Sequence, residues 1–373
     1  DGKVYQVIDP SVPVQIPVID LRATEPAERE RYVFDWAYEE GRRLFDMTRA
    51  PLWRMTLLRL EDELHLWVMV AHRSIWDGSS THQVMDEIAH IQEGAVTGRP
   101  VELPVLPIQF ADYAVWERKR SVGELYEKGM AFFRSKIGSP IPFFPMPGRR
   151  QERPEGAREL SALRTWYVPQ ELSERVRELA RRCGTTLFVT MVAALKAYVY
   201  QSTGVADLLF VTSFNSRDRN ETASLVGPVT NYSVLRTDMA ANAATYRDLI
   251  DRVREGVSEA LANREFPFVE ALAELQPEVY WTHRVLSPIS IAAYEGGSFP
   301  MPPGLTFERR IYFRRPVYEM FYSVTDMEQG IQVQLEYDTA LYDEAAVDAV
   351  YRGWEQVLAE MVRESGRSPM GGA

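Results

Sequence analysis

A single cysteine, Cys183, stands among 373 residues. That leaves no intrachain disulfide and no thiolate metal cluster, and it fits a reducing compartment, so the expected location is the cytoplasm. Histidine is also scarce: His65, His72, His82, His90 and His283 lack ligand-like spacing, which gives a metal site little to build on. No apolar run reaches a membrane span; the longest, "TLFVTMVAALKAYVY", is interrupted by Lys196. No secretion signal opens the chain. Basic residues are outnumbered, and the net charge of −11 argues against a nucleic-acid-binding face.

What is present is ample core material, 46% apolar residues, in a chain longer than one hydrophobic core usually serves. Two lobes of mixed α and β structure are therefore expected. The opening "DGKVYQVIDP" reads as already inside a strand. After Pro26 an amphipathic helix follows, with Val33, Trp36, Ala37 and Leu44 on one stripe. "LWRMTLLRL" and "LHLWVMVAH" read as strands joined by a turn at Glu61 to Glu63, and Ser80-x-x-Gln83 reads as a capping box for the next helix. Two more helices lead to "PIPFFPMPGRRQERPEGARE", whose prolines and arginines break the pattern. Residues 1–148 are thus expected as an N-terminal lobe, 149–160 as a linker and 161–373 as a C-terminal lobe. The second lobe reads as a strand, two helices capped between them at Thr185 or Thr186, then five strands interleaved with a long helix and closed by another. Phe188, Val192 and Leu195 are its expected core stripe.

Chemistry concentrates in "VMVAHRSIWDGSSTHQVMDEIAHI". Side chains alternate faces along a strand, so Leu66, Val68, Val70 and His72 share one face, and His65, Trp67, Met69, Ala71 and Arg73 the other. A catalytic base must face the reacting groups, so His72 and Arg73 cannot both stand at that position without a bulge.

The frame His72-Arg73-Ser74-Ile75-Trp76-Asp77-Gly78 resembles the His-His-x-x-x-Asp-Gly signature of nonribosomal peptide synthetase condensation domains. Other stretches resemble that family in order: "RRLFDMTRAPLWRMTLLRL", "QFADYAVWE", "TLFVTMVAAL", "FVTSFNSR", "VGPVTNYSVLRTD", "REFPFVEAL" and "LEYDTALYD". The family's first strand and helix have no counterpart after Asp1. The resemblance implies two lobes similar to chloramphenicol acetyltransferase, set as a V-shaped pseudo-dimer around a central tunnel. It further implies that the tunnel admits phosphopantetheine arms delivered by carrier proteins, with no cofactor bound by the domain itself. The second histidine of the signature is the family's catalytic residue, and Arg73 occupies its place. Asp77 is implied to be structural, paired with Arg54, and Gly78 to permit the tight turn into the helix. Trp76, Asn231, Tyr232 and Ser290 are implied to line the tunnel; Asn231 reads equally well as a polar group closing a strand bend. Tyr232 stands where the family often has Thr, and Glu319 where it often has Asp.

Arginine changes the chemistry. A histidine can take a proton from the attacking amine, whereas a guanidinium stays protonated and only donates. Ordinary amide synthesis is therefore doubtful. The resemblance extends to the X-domains of glycopeptide antibiotic synthetases, which carry arginine here and recruit haem-dependent cytochrome monooxygenases, although their final glycine tends to be altered while Gly78 is retained. The competing readings are an active condensation enzyme, or a His-to-Arg variant of one, and a related stand-alone acyltransferase. The pairs Arg149–Arg150, Arg309–Arg310 and Arg314–Arg315 read first as solvated faces, and on a chain of net −11 they are also the sites best placed to meet an acidic carrier protein.

Overall fold

A computed structural model describes residues 5–120, 122–155, 160–240, 245–282, 286–294 and 317–363. The fold is mixed α/β with two sheets, one of three strands and one of six. Two compact units emerge. The first holds residues up to Glu117 together with Arg217–Thr230. The second holds Arg118–Ser216 and the described residues from Asn231 onward, apart from a further segment outside the described residues.

In the first unit β1 (Val18–Asp20) runs parallel to β2 (Trp53–Arg59), which pairs antiparallel with β3 (His65–Ala71). Residues 5–17 form no strand, and the sheet begins only at Val18. Helix α1 (Pro26–Arg42) covers the sheet with Val33 and Trp36, which pack with Leu21, Leu58, Leu66 and Val68. Leu44 does not join that stripe: the helix stops at Arg42 and Leu44 is 91% exposed. Helices α2 (Gly78–Thr97) and α3 (Phe110–Arg120) follow, the latter crossing the division between units at Glu117.

The second unit contains helix α4 (Glu124–Ile137), β4 (Ser161–Tyr167), α5 (Gln170–Arg182), α6 (Leu187–Thr203), β5 (Asp207–Phe214) and β6 (Asn231–Asp238). It continues with α7 (Tyr246–Ala262), α8 (Phe268–Leu275), α9 (Pro277–Thr282), β7 (Ile289–Tyr294), β8 (Met320–Met327), β9 (Gly330–Asp338) and α10 (Glu344–Arg363). The sheet order is β4-β9-β8-β7-β5-β6. Alternation along β9 sends Ile331, Val333, Leu335 and Tyr337 into the core. Its other face is polar, where Gln332 donates to the Tyr167 hydroxyl at 2.8 Å and Gln334 to the Thr165 hydroxyl at 3.3 Å. One dry face and one wet face is what antiparallel pairing permits.

The division between units differs from the 149–160 stretch expected to be a linker. Helix α4 is the reason: Met130, Phe133 and Ile137 join the core of the second unit. A Cβ on Gly129 would lie 2.3 Å from the Phe266 ring, so only glycine allows that approach. Lys136, 2.6 Å from Glu259, fixes the same helix, and Arg120 at the end of α3 bonds Glu265.

Helix α6 is capped by Thr186, whose hydroxyl accepts from Val189 N–H at 3.3 Å. It is buried on every side from Val189 to Ala197, and Val192 and Leu195 are fully covered while Phe188 packs at its edge. Among these residues is Lys196, fully buried. Its Nζ donates to the carbonyls of Leu208 at 3.2 Å and Leu235 at 2.7 Å, and lies 4.3 Å from the Phe210 ring centre. Burial pushes its pKa down to about 7; Asp207 pulls the other way and Lys136 adds to the lowering. An unfolded lysine titrates near 10.4. Between these values the unfolded chain holds a proton that the folded chain has released, so stability rises with pH across that window. Urea unfolding of the unaltered protein should show this rise from about pH 7 to about pH 10, and Lys196→Met should flatten it. Equal slopes for the two proteins would refute the assignment.

Candidate functional site

The motif sits where β3 ends. Strand pairing stops at Ala71 opposite Trp53, one further bond runs from His72 N–H to the Leu52 carbonyl, and Ile75 N–H then turns back to the His72 carbonyl at 3.1 Å. The helix that follows is capped one turn earlier than Ser80-x-x-Gln83 suggested. Asp77 is the N-cap and Ser80 the N3 residue of a reciprocal box. Asp77 wins because its carboxylate accepts from Ser80 N–H at 2.8 Å while the Ser80 hydroxyl faces Asp77 N–H at 3.4 Å.

Asp77 is structural, but its partner is Arg217 and not Arg54. Arg217 Nη1 and Nη2 meet the two carboxylate oxygens at 2.7 and 3.0 Å, with the side chains 5% and 6% exposed. The carboxylate also accepts from the Ser80 hydroxyl at 2.7 Å, from the N–H groups of Val229 and Thr230 at 3.1 and 3.0 Å, and from the Thr230 hydroxyl at 3.0 Å. Arg217 spends its remaining donors on the carbonyls of Leu225 and Gly227. Segment 217–230 is thereby bound to the motif helix, and it is packed further by Tyr113, Leu225 and Val229 and by Arg219 over the Trp116 ring at 5.0 Å. At Gly227 the Phe110 ring occupies the place of a side chain, 2.4 Å from where Cβ would be.

Arg54 is held elsewhere because β2 delivers it to the C-terminal end of α1. There it pairs with the Glu40 carboxylate, donates to the carbonyls of Glu40 at 2.9 Å and Arg43 at 2.8 Å, and lies 4.0 Å over the Phe45 ring. A cation at a helix C-terminus meets both the unpaired carbonyls and the negative end of the dipole.

His72 faces the side of the sheet that carries α1, its ring edge-on to Phe45 at 6.0 Å. Its Nδ1 accepts from Ser74 N–H at 3.2 Å and contacts the Ser74 hydroxyl at 2.8 Å. The neutral ring therefore carries its proton on Nε2. Arg73 lies beyond the last ladder pair and is exposed. Trp76 is half-buried and donates from Nε1 to the Thr81 hydroxyl at 3.0 Å. Gly78 is the first residue of α2; its φ is not positive, and a Cβ there would meet nothing within 4 Å. The turn thus makes no demand for glycine at that position.

The residues implied to line a tunnel have other engagements. Asn231 Nδ2 donates to the carbonyls of Arg264 at 2.8 Å and Phe266 at 2.6 Å, and its Oδ1 accepts from Tyr232 N–H at 2.9 Å and Phe268 N–H at 3.2 Å. Every polar group of that side chain is used in closing the bend before α8. Tyr232 is half-buried, with its ring 6.4 Å from Phe268. Ser290 is 1% exposed, on β7 opposite Val211 and Phe321. Arg149 grips Glu319 through Nε and Nη2, with a closest approach of 2.8 Å, and Glu319 also accepts from the Tyr342 hydroxyl. Arg150 is spent on the carbonyls of Thr339 and Ala340. That pair is structural; Arg309–Arg310 and Arg314–Arg315 lie outside the described residues, as does His283. Among the described residues no group of three or more potential metal ligands assembles, and no single helix is long and apolar enough to cross a membrane.

The motif is rich in donors and poor in proton acceptors. Asp77 is saturated, His72 Nδ1 is engaged, and Arg73 only donates.

Comparison with known proteins identifies the family. The chain matches the family model of the condensation domain over residues 1–367, and it belongs to that family. Among its relatives are one of the linear gramicidin synthase proteins of Brevibacillus parabrevis, 31% identical over 97% of this chain and 7% of that protein, and Phosphinothricin tripeptide synthetase PhsC of Streptomyces viridochromogenes, 30% identical over 93% of this chain and 32% of that protein. The chain therefore spans only a small part of these relatives. In three dimensions it superimposes on the X-domain in its complex with OxyB from teicoplanin biosynthesis with a TM-score of 0.81, at 22% identity, covering 98% of this chain and 80% of that one. The first condensation domain of the calcium-dependent antibiotic synthetase, in complex with a substrate analogue, gives 0.73 at 20% identity, over 98% and 81% of the two chains. Both share the fold with this chain.

The desolvation of Asp77 raises its pKa, but the Arg217 guanidinium outweighs burial and holds the carboxyl below its ordinary value. A depressed folded pKa stabilises above the unfolded value near 3.9 and ceases to do so as pH falls through the folded one. Acid unfolding of Asp77→Asn should accordingly be less steep below about pH 4 than that of the unaltered protein. At neutral pH, Arg217→Met should cost about 3–5 kcal/mol, since it strands a buried charge, and the double variant should lose less than the two singles together. Additive losses in urea unfolding would show the two groups to be independent.

Proposed function

We propose that this chain is a condensation-type domain of a nonribosomal peptide synthetase in which Arg73 stands at the catalytic histidine position and amide formation is impaired. It acts as a platform that binds peptide tethered to carrier proteins through phosphopantetheine and recruits tailoring enzymes such as cytochrome monooxygenases. The observation that carries this reading is the lack of a proton acceptor among the motif side chains. His72 cannot simply stand in, because its ring faces the α1 side of the sheet and its Nδ1 is taken by Ser74. Asp77 cannot, because seven donors already fill its oxygens. A guanidinium at position 73 can stabilise an oxyanion yet accept nothing. The X-domain match supports the recruitment half, since that neighbour is in complex with OxyB.

The second reading, an active condensation enzyme joining donor and acceptor thioesters, is favoured by the family itself and by the equally shared fold of a condensation domain in complex with a substrate analogue. One experiment separates them. Amide formation from loaded donor and acceptor carrier proteins is compared for the protein as it stands and for Arg73→His. The histidine form should be faster by roughly 10²–10⁴-fold, the usual worth of one general base. Equal rates would overturn the claim of impairment.

A further inference from the structure

The described arginine pair expected to meet a carrier, Arg149–Arg150, is engaged with Glu319 and with the carbonyls of Thr339 and Ala340, although 44% of the Arg150 side chain stays exposed. A different basic surface lies beside the motif. After α1 ends at Arg42, the loop from Arg43 to Pro51 passes against His72, with Phe45 in contact with its ring. This loop exposes Leu44 at 91% and Met47 at 52%, unusual for large apolar side chains so close together. Around them stand Arg43 and Arg49, whose side chains are 61% and 84% exposed, and Arg42 at the helix end. Arg73 is exposed in the turn that follows His72. Asp46 is the one acid within residues 42–51. The patch thus inverts the sign of a chain whose net charge is −11, and it offers apolar anchors inside a rim of guanidinium groups.

We propose that the loop Arg43–Pro51 is a docking surface for the acidic carrier domain that presents the tethered peptide. The inference rests on the carrier-binding reading above and adds to it the surface used. Charge complementarity selects the occupant. On an acidic chain a basic rim attracts an acidic partner and repels a second copy of the same protein docked through the same face, where guanidinium groups would meet guanidinium groups. Leu44 and Met47 supply the water-excluding centre, and the arginines steer and orient. The loop is held in place by Arg54, which bonds the Arg43 carbonyl and covers the Phe45 ring; Arg43 shares the Glu40 carboxylate with Arg54, whereas Arg49, paired with Asp46 at 3.5 Å, can be changed without touching that anchor.

The test uses a holo carrier domain with a fluorescent peptide on its phosphopantetheine, titrated with the full chain at low and high salt. The unaltered chain should bind, and more weakly as salt rises. Arg49→Glu and, separately, Leu44→Ser should each weaken binding on the order of tenfold with thermal unfolding unchanged, the charge variant mainly through association rate. Arg175→Glu/Arg182→Glu, on exposed positions of α5, should bind as the unaltered chain does. Unchanged affinity in the loop variants, or an equal loss in the α5 control, would overturn the proposal while leaving carrier binding intact. So would a loop-dependent contact with a monooxygenase or a second copy in place of the carrier. Failure of the unaltered chain to bind any holo carrier would remove the carrier-binding reading itself.

Discussion

The first unit is organised around one buried ion pair. Asp77 and Arg217 are 140 residues apart in sequence, and each is almost fully covered. Burying two charges is costly unless every lone pair and proton finds a partner, and here almost every neighbour is recruited for that purpose. Ser80 caps Asp77 and receives Gly227 N–H at 3.0 Å; Thr230 gives both its N–H and its hydroxyl; the Leu225 and Gly227 carbonyls take what Arg217 has left. Asp77 and Ser80 of the turn, and Gly227, Val229 and Thr230 of the later stretch, are tied together by this one knot. It also explains why the core around it can be small. Leu225, Val229 and Tyr113 add apolar burial to a segment whose position the ion pair has already specified.

The same knot removes the carboxylate from chemistry. A thioester attacked by an amine needs somewhere for the amine proton to go, and a carboxylate beside a strand-to-helix turn would be the obvious recipient. With both oxygens filled, the motif must rely on position 73, and there the chain places a permanent cation. Electrostatic stabilisation and positioning are what such a group can supply. Arg54 shows how differently the same side chain serves when buried against a helix end, where its Nε and Nη2 are spent on α1 and the residue after it.

Strand alternation was legible in the sequence because it is local. The strands β2, β3, β5 and β6 fall where their apolar patterns put them, while Arg73 lies in the turn beyond the end of β3. The core character of α6 was equally plain. What the pattern could not carry was competition between near-equivalent local choices and pairing at long range. Asp77 and Ser80 both have capping side chains, and only the geometry of the turn decides between them. Leu44 keeps the helical period but lies past Arg42, where the chain turns extended. Glu40 and Asp77 are both carboxylates within reach of an arginine in some fold, so the partner of Arg54 is a question of topology and not of motif. Arg217 stood in plain view in "FVTSFNSR" without any signal of what it would meet. The fate of α4 was hidden likewise: its apolar stripe says that it must pack, and only Gly129 against Phe266 says where.

Gly78 bears on which branch of the family the chain resembles. Retention of this glycine weighed against the X-domain branch, where it tends to be altered, and the tight turn was separately implied to use it. The turn does not: the residue starts a regular helix, its φ lies in the ordinary range, and a side chain there would enter open space. A position without conformational or steric demand on the fold is free to drift, so glycine there is compatible with either branch. Position 73 is different in kind, since exchanging an acceptor for a permanent donor alters the chemistry whatever the packing. The chemistry of the motif therefore turns on Arg73, while the buried pair Asp77–Arg217 holds the scaffold around it.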